Sequence, residues 1–208
     1  MMNLSNGYSL YLIVLVSSLP NLSLLSGADP TDGFTEIPLT EANFLLQKPY
    51  DIPLEERYSY ENGVHKMWVY ADDKPHALVQ GLDYCSGAWK FEGNVFVPNG
   101  TSGATIVQIH GAAHGNTTML LRIYNGEMRY YTYELVDATN LYDKWCRVNL
   151  IHNVDGGLVT VFIDGVQKFE THDHGPGDLY FKCGVYGAPS NISYYMESRW
   201  KDIKIYKK

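Results

Sequence analysis

The chain has 208 residues, enough for one domain with a substantial core, and its 45 % hydrophobic and 19 % charged content excludes a disordered protein. A formal net charge of −7 excludes the basic footprint of a nucleic-acid or anionic-membrane binder, so an acidic ligand would need a locally positive site. Tyrosine is in excess, at 17 residues, which suits pleated surfaces and wet binding faces.

The first segment reads as a leader. Tyr8 to Leu25 is almost entirely apolar or small, and Ser26-Gly27-Ala28 offers a small-x-small cleavage site. The expected division is a signal peptide over 1–28 and one domain over 29–208, although no Lys or Arg precedes the apolar run. Pro20, Asn21 and several serines keep that run short of the roughly 20 apolar residues of a membrane span, and no later segment is long enough. No membrane association is expected of the mature form. Asn99-Gly-Thr, Asn116-Thr-Thr and Asn191-Ile-Ser are candidate glycosylation acceptors in turn-like sequence. Cys85, Cys146 and Cys183 allow at most one bridge and flank or lie within apolar strand patterns, so buried free thiols are expected.

Pro30, Pro38, Pro49 and Pro53 then exclude a long helix or a central strand and predict an arm wrapping the domain. From Tyr58 onward short strands alternate with turn punctuation. They are predicted at 63–71, 89–98, 104–112, 119–126, 128–136, 145–154, 158–165, 166–172, 180–187 and 195–206. Pro98-Asn99-Gly100, Asn125-Gly126, Gly156-Gly157 and Asp164-Gly165 mark turns between them. Only 137–142 offers a short helical turn. The pattern predicts an all-β fold, a two-sheet β-sandwich of jelly-roll type. Trp145 to Phe169, with its Trp-headed strand, Gly-Gly turn and Ile-Asp-Gly end, recurs in lectin-like and glucanase-like sandwiches, which host both binders and enzymes.

Side chains alternate faces along a strand. Gln108 and His110 therefore project together, away from Val107 and Ile109. Tyr180, Lys182 and Tyr186 share a face opposite Phe181, Cys183 and Val185. Periodicity alone reads these as ordinary solvent-facing positions or as a polar cluster on a concave sheet. His172-Asp173-His174 could offer two metal ligands but lacks a third at a convincing spacing, so a solvated loop is expected, with no metal and no cofactor.

The pair QIH and YFKCGVY is similar to two signature motifs of the family-7 polysaccharide lyases, the alginate lyase fold. KPYDIP at 48–53, ERYSYENGVHKMWVY at 56–70, YCSGAWKFEG at 84–93, VPNGTSG at 97–103 and YMESRWKDIK at 195–204 further resemble the plant citrate-binding branch of that fold. The resemblance implies a jelly roll of the concanavalin/alginate-lyase-like type. It implies handling of a carboxylate by Gln108, with Lys182 as a cation and His110 and Tyr186 as a proton-transfer pair. One feature departs from the pattern. The family's Arg-x-Glu-x-Arg strand before the Tyr-x-Ser-Gly segment is missing, because 71–87 runs ADDKPHALVQGLDYCSG with no Arg between Arg57 and Arg122. An ammonium or imidazole is a poor substitute for a bidentate guanidinium. A gap or a substitute pairing is expected in the sheet.

The leading expectation is therefore a monomeric binder of citrate or a related carboxylate or sugar acid, without catalysis, through Gln108, His110, Lys182 and Tyr186. Protonation of His110 between pH 7 and 5 would strengthen binding in an acidic vacuole or cell wall. The alternative is a polysaccharide lyase acting on uronate polymers by β-elimination, with Gln108, His110 and Tyr186 as its catalytic residues.

Overall fold

A computed structural model describes residues 9–14, 32–49, 51–74, 84–112, 116–132, 134–136, 138–187 and 193–208. Period-two patterning dominates these stretches, and the chain answers with strands joined by tight turns. The first are β1 (Ser9–Val14), β2 (Thr35–Ile37), β3 (Phe44–Gln47), β4 (Tyr58–Glu61) and β5 (Val64–Tyr70). β6 (Ala88–Phe96), β7 (Ala104–Ala112), β8 (Asn116–Tyr124), β9 (Glu127–Tyr130) and β10 (Glu134–Leu135) follow. The remainder are β11 (Trp145–Asn153), β12 (Leu158–Ile163), β13 (Val166–His172), β14 (Tyr180–Gly187) and β15 (Tyr195–Lys207).

Two antiparallel sheets result, as the sequence predicts. One is seven-stranded in the order β10-β9-β8-β7-β14-β1-β3. The other is eight-stranded, β13-β12-β11-β6-β15-β5-β4, with β2 paired to β15. Asn62-Gly63, Asn125-Gly126 and Asp164-Gly165 all hold positive φ at both residues, the backbone of a type I′ turn, and close three hairpins.

The core lies between the sheets. Phe181 of β14 meets Phe91 of β6 at a ring-centroid distance of 5.8 Å, and Phe91 meets Trp200 of β15 at 5.7 Å. Met67, Ile106, Ile109, Met119, Leu121 and Ile123 are fully buried around them. Close-packed apolar burial of this kind is the dominant favourable term in folding.

Several expectations are refined. The arm exists, but it contributes β2 to the edge of β15 and β3 to the end of the seven-stranded sheet. The predicted strand 128–136 divides into β9 and β10. The helical turn expected at 137–142 is not formed at the described residues 138–142. There the backbone is used otherwise: Met128 N–H donates to Ala138 O, Leu141 N–H donates to Gly126 O, and Tyr142 bridges Val97. Cys146 is a buried free thiol and Cys183 is buried, whereas Cys85 is exposed, because it follows the bridge residue Tyr84 on the opposite face.

The missing arginine strand leaves no gap beside β14, which pairs with β7 on one side and with β1 on the other. Segment 9–14 of the expected leader is thus a strand, with β3 continuing beyond it. Residues 75–83, where the departure from the family pattern falls, lie outside the described residues, as does the acceptor Asn191. Asn99 is exposed in the turn after β6, and Asn116 is the first residue of β8 rather than a turn residue.

Candidate functional site

β7 and β14 run side by side, and their register sets the site. Gln108 faces Lys182, His110 faces Tyr180, and Thr105 faces Tyr186. Val107, Ile109, Phe181, Cys183 and Val185 occupy the core, so alternation turns Gln108, His110, Tyr180, Lys182 and Tyr186 to the opposite face. The four residues singled out from sequence are thereby on one face of one sheet.

Tyr180 is the hub that sequence reading passed over as a site residue. Its ring lies 5.2 Å from the His110 ring, the Lys182 ammonium sits 5.2 Å from its centroid, and Leu45 and Tyr186 pack against it. Tyr186 is displaced from His110 along the strands, since its cross-strand partner is Thr105, and Tyr180 links the two. Gln108 donates from Nε2 to Thr117 Oγ1 at 3.0 Å, which orients its amide.

Electrostatics follow from burial. Lys182 is 4 % exposed, and desolvation lowers its pKa to about 8. His110 is pushed down to about 4, first by burial and then by the Lys182 charge. Its ring is therefore neutral between pH 7 and 5, against the expectation that it gains a proton there. His110 Nδ1 is buried and has no hydrogen-bond partner among the described residues. Burial raises the Tyr186 phenol above its usual value, and Arg122 opposes that rise.

The end of β7 is fixed by backbone packing. Gly111 holds φ at +103°, and a Cβ there would overlap the carbonyl oxygen of Asp178. A Cβ on Gly177 would likewise overlap Gly111 O. Only glycine allows this approach, directly after His110. The adjoining His172–His174 segment serves as a fastener. Asp173 pairs with His152 Nε2 at 3.1 Å, while His174 reaches Thr117 O at 2.7 Å and Tyr130 at 3.2 Å. No group of three His, Cys, Asp or Glu residues suited to a metal occurs among the described residues.

The remaining candidates lie elsewhere. Arg57 makes a two-point contact with Asp73 at 2.7 and 2.5 Å, and Lys74 pairs with Asp51 at 2.8 Å. They line a cavity of about 330 Å³ with Tyr70 and Tyr194, which none of the four site residues enters. Neither cation replaces the absent arginines at the β7–β14 face.

A two-sheet jelly roll defines the class, and the chain belongs to the alginate lyase family, whose Alginate_lyase2 model matches residues 79–207. The chain is 53 % identical over 210 residues to the citrate-binding protein of Hevea brasiliensis, covering 96 % of this chain and 87 % of that relative. Among solved structures it is similar to the family-7 alginate lyase AlgAT5, with a TM-score of 0.60, 14 % identity and coverage of 99 % of this chain and 96 % of that one. The alginate lyase from Corynebacterium sp. matches with a TM-score of 0.59 and 12 % identity, over 98 % of this chain and 95 % of that one. At these identities the lyase structures speak for the fold alone.

Proposed function

We propose that this protein binds citrate or a related carboxylate or sugar acid over the β7–β14 face, without catalysis. The observation that carries the reading is the buried Lys182 cation beside a buried His110 nitrogen without a hydrogen-bond partner among the described residues. A carboxylate here would accept from the Lys182 ammonium and from the Gln108 amide, while His110 Nδ1–H donates in the appropriate tautomer. Tyr180 and Tyr186 supply the wall against which a sugar or carbon skeleton packs. The name of the Hevea relative supports the same ligand class.

The reading includes passage through the secretory pathway to the vacuole or cell wall, with 1–28 as the leader and Asn99 as an exposed glycosylation acceptor. Calorimetric titration of citrate and of glucuronate tests the binding. Saturable heat that Lys182→Ala abolishes is expected, and the absence of heat with both acids rejects the reading.

One observation favours a second reading, a uronate lyase. A neutral His110 offers a lone pair to take the proton α to a carboxylate. Incubation with alginate, glucuronan and pectate, followed by the ultraviolet absorbance of unsaturated product, distinguishes the two. No product is expected, because the carboxylate lacks the paired guanidinium groups that would stabilise charge at the reacting carbon.

A further inference from the structure

Arg122 stands on the same sheet face as the site. In β8, Met119, Leu121 and Ile123 point into the core, so Leu120 and Arg122 point to the other side. The register continues two rows across three strands, Lys182–Gln108–Leu120 and Tyr186–Thr105–Arg122. Arg122 is thus two residues along β8 from the row of Lys182 and two strand spacings away, roughly 10 Å of sheet width.

The surroundings of this guanidinium are unusual for a buried cation. Arg122 is 9 % exposed. Its Nε donates to Thr105 Oγ1 at 3.1 Å, one terminal nitrogen donates to Thr132 Oγ1 at 2.8 Å, and the group lies 6.0 Å from the Tyr131 ring centroid. Both acceptors are neutral hydroxyls, and no carboxylate among the described residues pairs with it. Arg57, with a side chain 12 % exposed, has the two-point Asp73 partner. A buried charge without a counter-charge is costly, and an arriving anion would relieve that cost. The guanidinium has five donors, of which two are engaged among the described residues. Its field already reaches the Tyr186 hydroxyl.

We propose that Arg122 is a second carboxylate-binding position, so that the site reads acids with two or more carboxylates through Lys182 and Arg122 together and discriminates against monocarboxylates. The inference rests on the binding function proposed above. Thr105 and Thr132 hold the fork in place, and Tyr186 stands in the same cross-strand row as Arg122. A polycarboxylate would bridge the two cations along this face, one carboxylate at each.

The test is titration of citrate and of 2-hydroxyisobutyrate, a 2-hydroxy acid with one carboxylate, into the full chain and into Arg122→Gln and Lys182→Gln. Arg122→Gln is expected to weaken citrate at least tenfold and to leave 2-hydroxyisobutyrate unchanged, whereas Lys182→Gln weakens both. Equal citrate affinity in Arg122→Gln and the parent overturns the role of Arg122 while leaving the binding function intact. No binding by the parent overturns both. Should Arg122→Gln fail to fold, Arg122→Lys keeps the charge without the fork. It is expected to weaken citrate three- to tenfold with the monocarboxylate unchanged, and equal loss for both acids overturns the proposal.

Discussion

Lys182 stands directly across from Gln108 in the β14–β7 register, with its ammonium 5.2 Å from the Tyr180 ring centroid. Burial lowers its pKa from the ordinary 10.5 to about 8, so the folded protein favours the neutral amine more than water does. A bound anion opposes that shift. Binding of glucuronate, ionised throughout, is expected to be level between pH 5 and 7 and to weaken above about pH 8, by up to roughly tenfold per pH unit. Lys182→Gln is expected to remove the inflection and to lower affinity by about ten- to a hundredfold, the loss of one charge-assisted hydrogen bond of ~1.5–3 kcal/mol. Calorimetry across pH 5 to 10 checks both, and an inflection that persists in the variant rejects Lys182 as the anchoring cation.

Two of the histidines that burial holds neutral, His65 and His110, contribute to acid stability. His65 lies among Phe44, Tyr58 and Tyr60, and burial depresses it to about 4, the same value as His110. Each folded pKa is below the ordinary 6.5, so the fold favours the neutral ring. Their contribution is complete above pH 6.5 and is lost as the pH falls through about 4. The melting temperature is expected to decline from pH 6.5 to 4, and His65→Phe is expected to reduce the slope even though it forfeits the 3.0 Å contact with Tyr58. An unchanged slope assigns the acid sensitivity to other groups.

His152 fastens the two sheets. It is fully buried, with Nδ1 3.0 Å from the Tyr84 hydroxyl and Nε2 3.1 Å from Asp173. Tyr84 in turn stacks on Phe181 of the opposite sheet at 5.2 Å. His152→Leu fills the space but strands the buried Tyr84 hydroxyl and takes one partner from the Asp173 carboxylate, which keeps Gly175 N–H, a loss of about 2–4 kcal/mol. Urea denaturation should show that loss in the midpoint with the slope unchanged, and a loss below about 1 kcal/mol would show that water satisfies both groups.

Alternation made the β7 and β14 face legible, because core and site residues interleave without interruption at 107–110 and 180–183. The Asn-Gly and Asp-Gly turns were legible for the same local reason. Arg122 was not: its face is evident from Leu121 and Ile123, but only the three-strand register brings it beside Tyr186. Tyr180 gains its importance from ring contacts that no spacing reports. Local pattern also could not separate a leader from a strand at 9–14, since an apolar run serves either, and it missed β3 because surrounding prolines read as irregular chain.

That ambiguity at 9–14 has a measurable consequence. β1 pairs residue for residue with β14 from Ser9↔Tyr186 to Ile13↔Lys182, and with β3 from Tyr11↔Gln47 to Val14↔Phe44. A chain beginning at Asp29, the form left by cleavage of the expected leader, lacks this strand. β14 then has an open backbone edge beside Lys182, and β3 must dock on it directly or leave the sheet. An unpaired central edge is a template for another strand. The Asp29–Lys208 protein is expected to melt about 5–10 °C below the full chain, corresponding to a loss of ~2–3 kcal/mol at this size. Hydrogen exchange is expected to show lost protection at the β14 amides that face β1, with the β7-facing amides still protected. Equal melting temperatures with full protection along β14 would mean that β3 moves across to take the place of β1. In that case the shorter chain completes the sheet from its own arm, and the binding face survives removal of the leader.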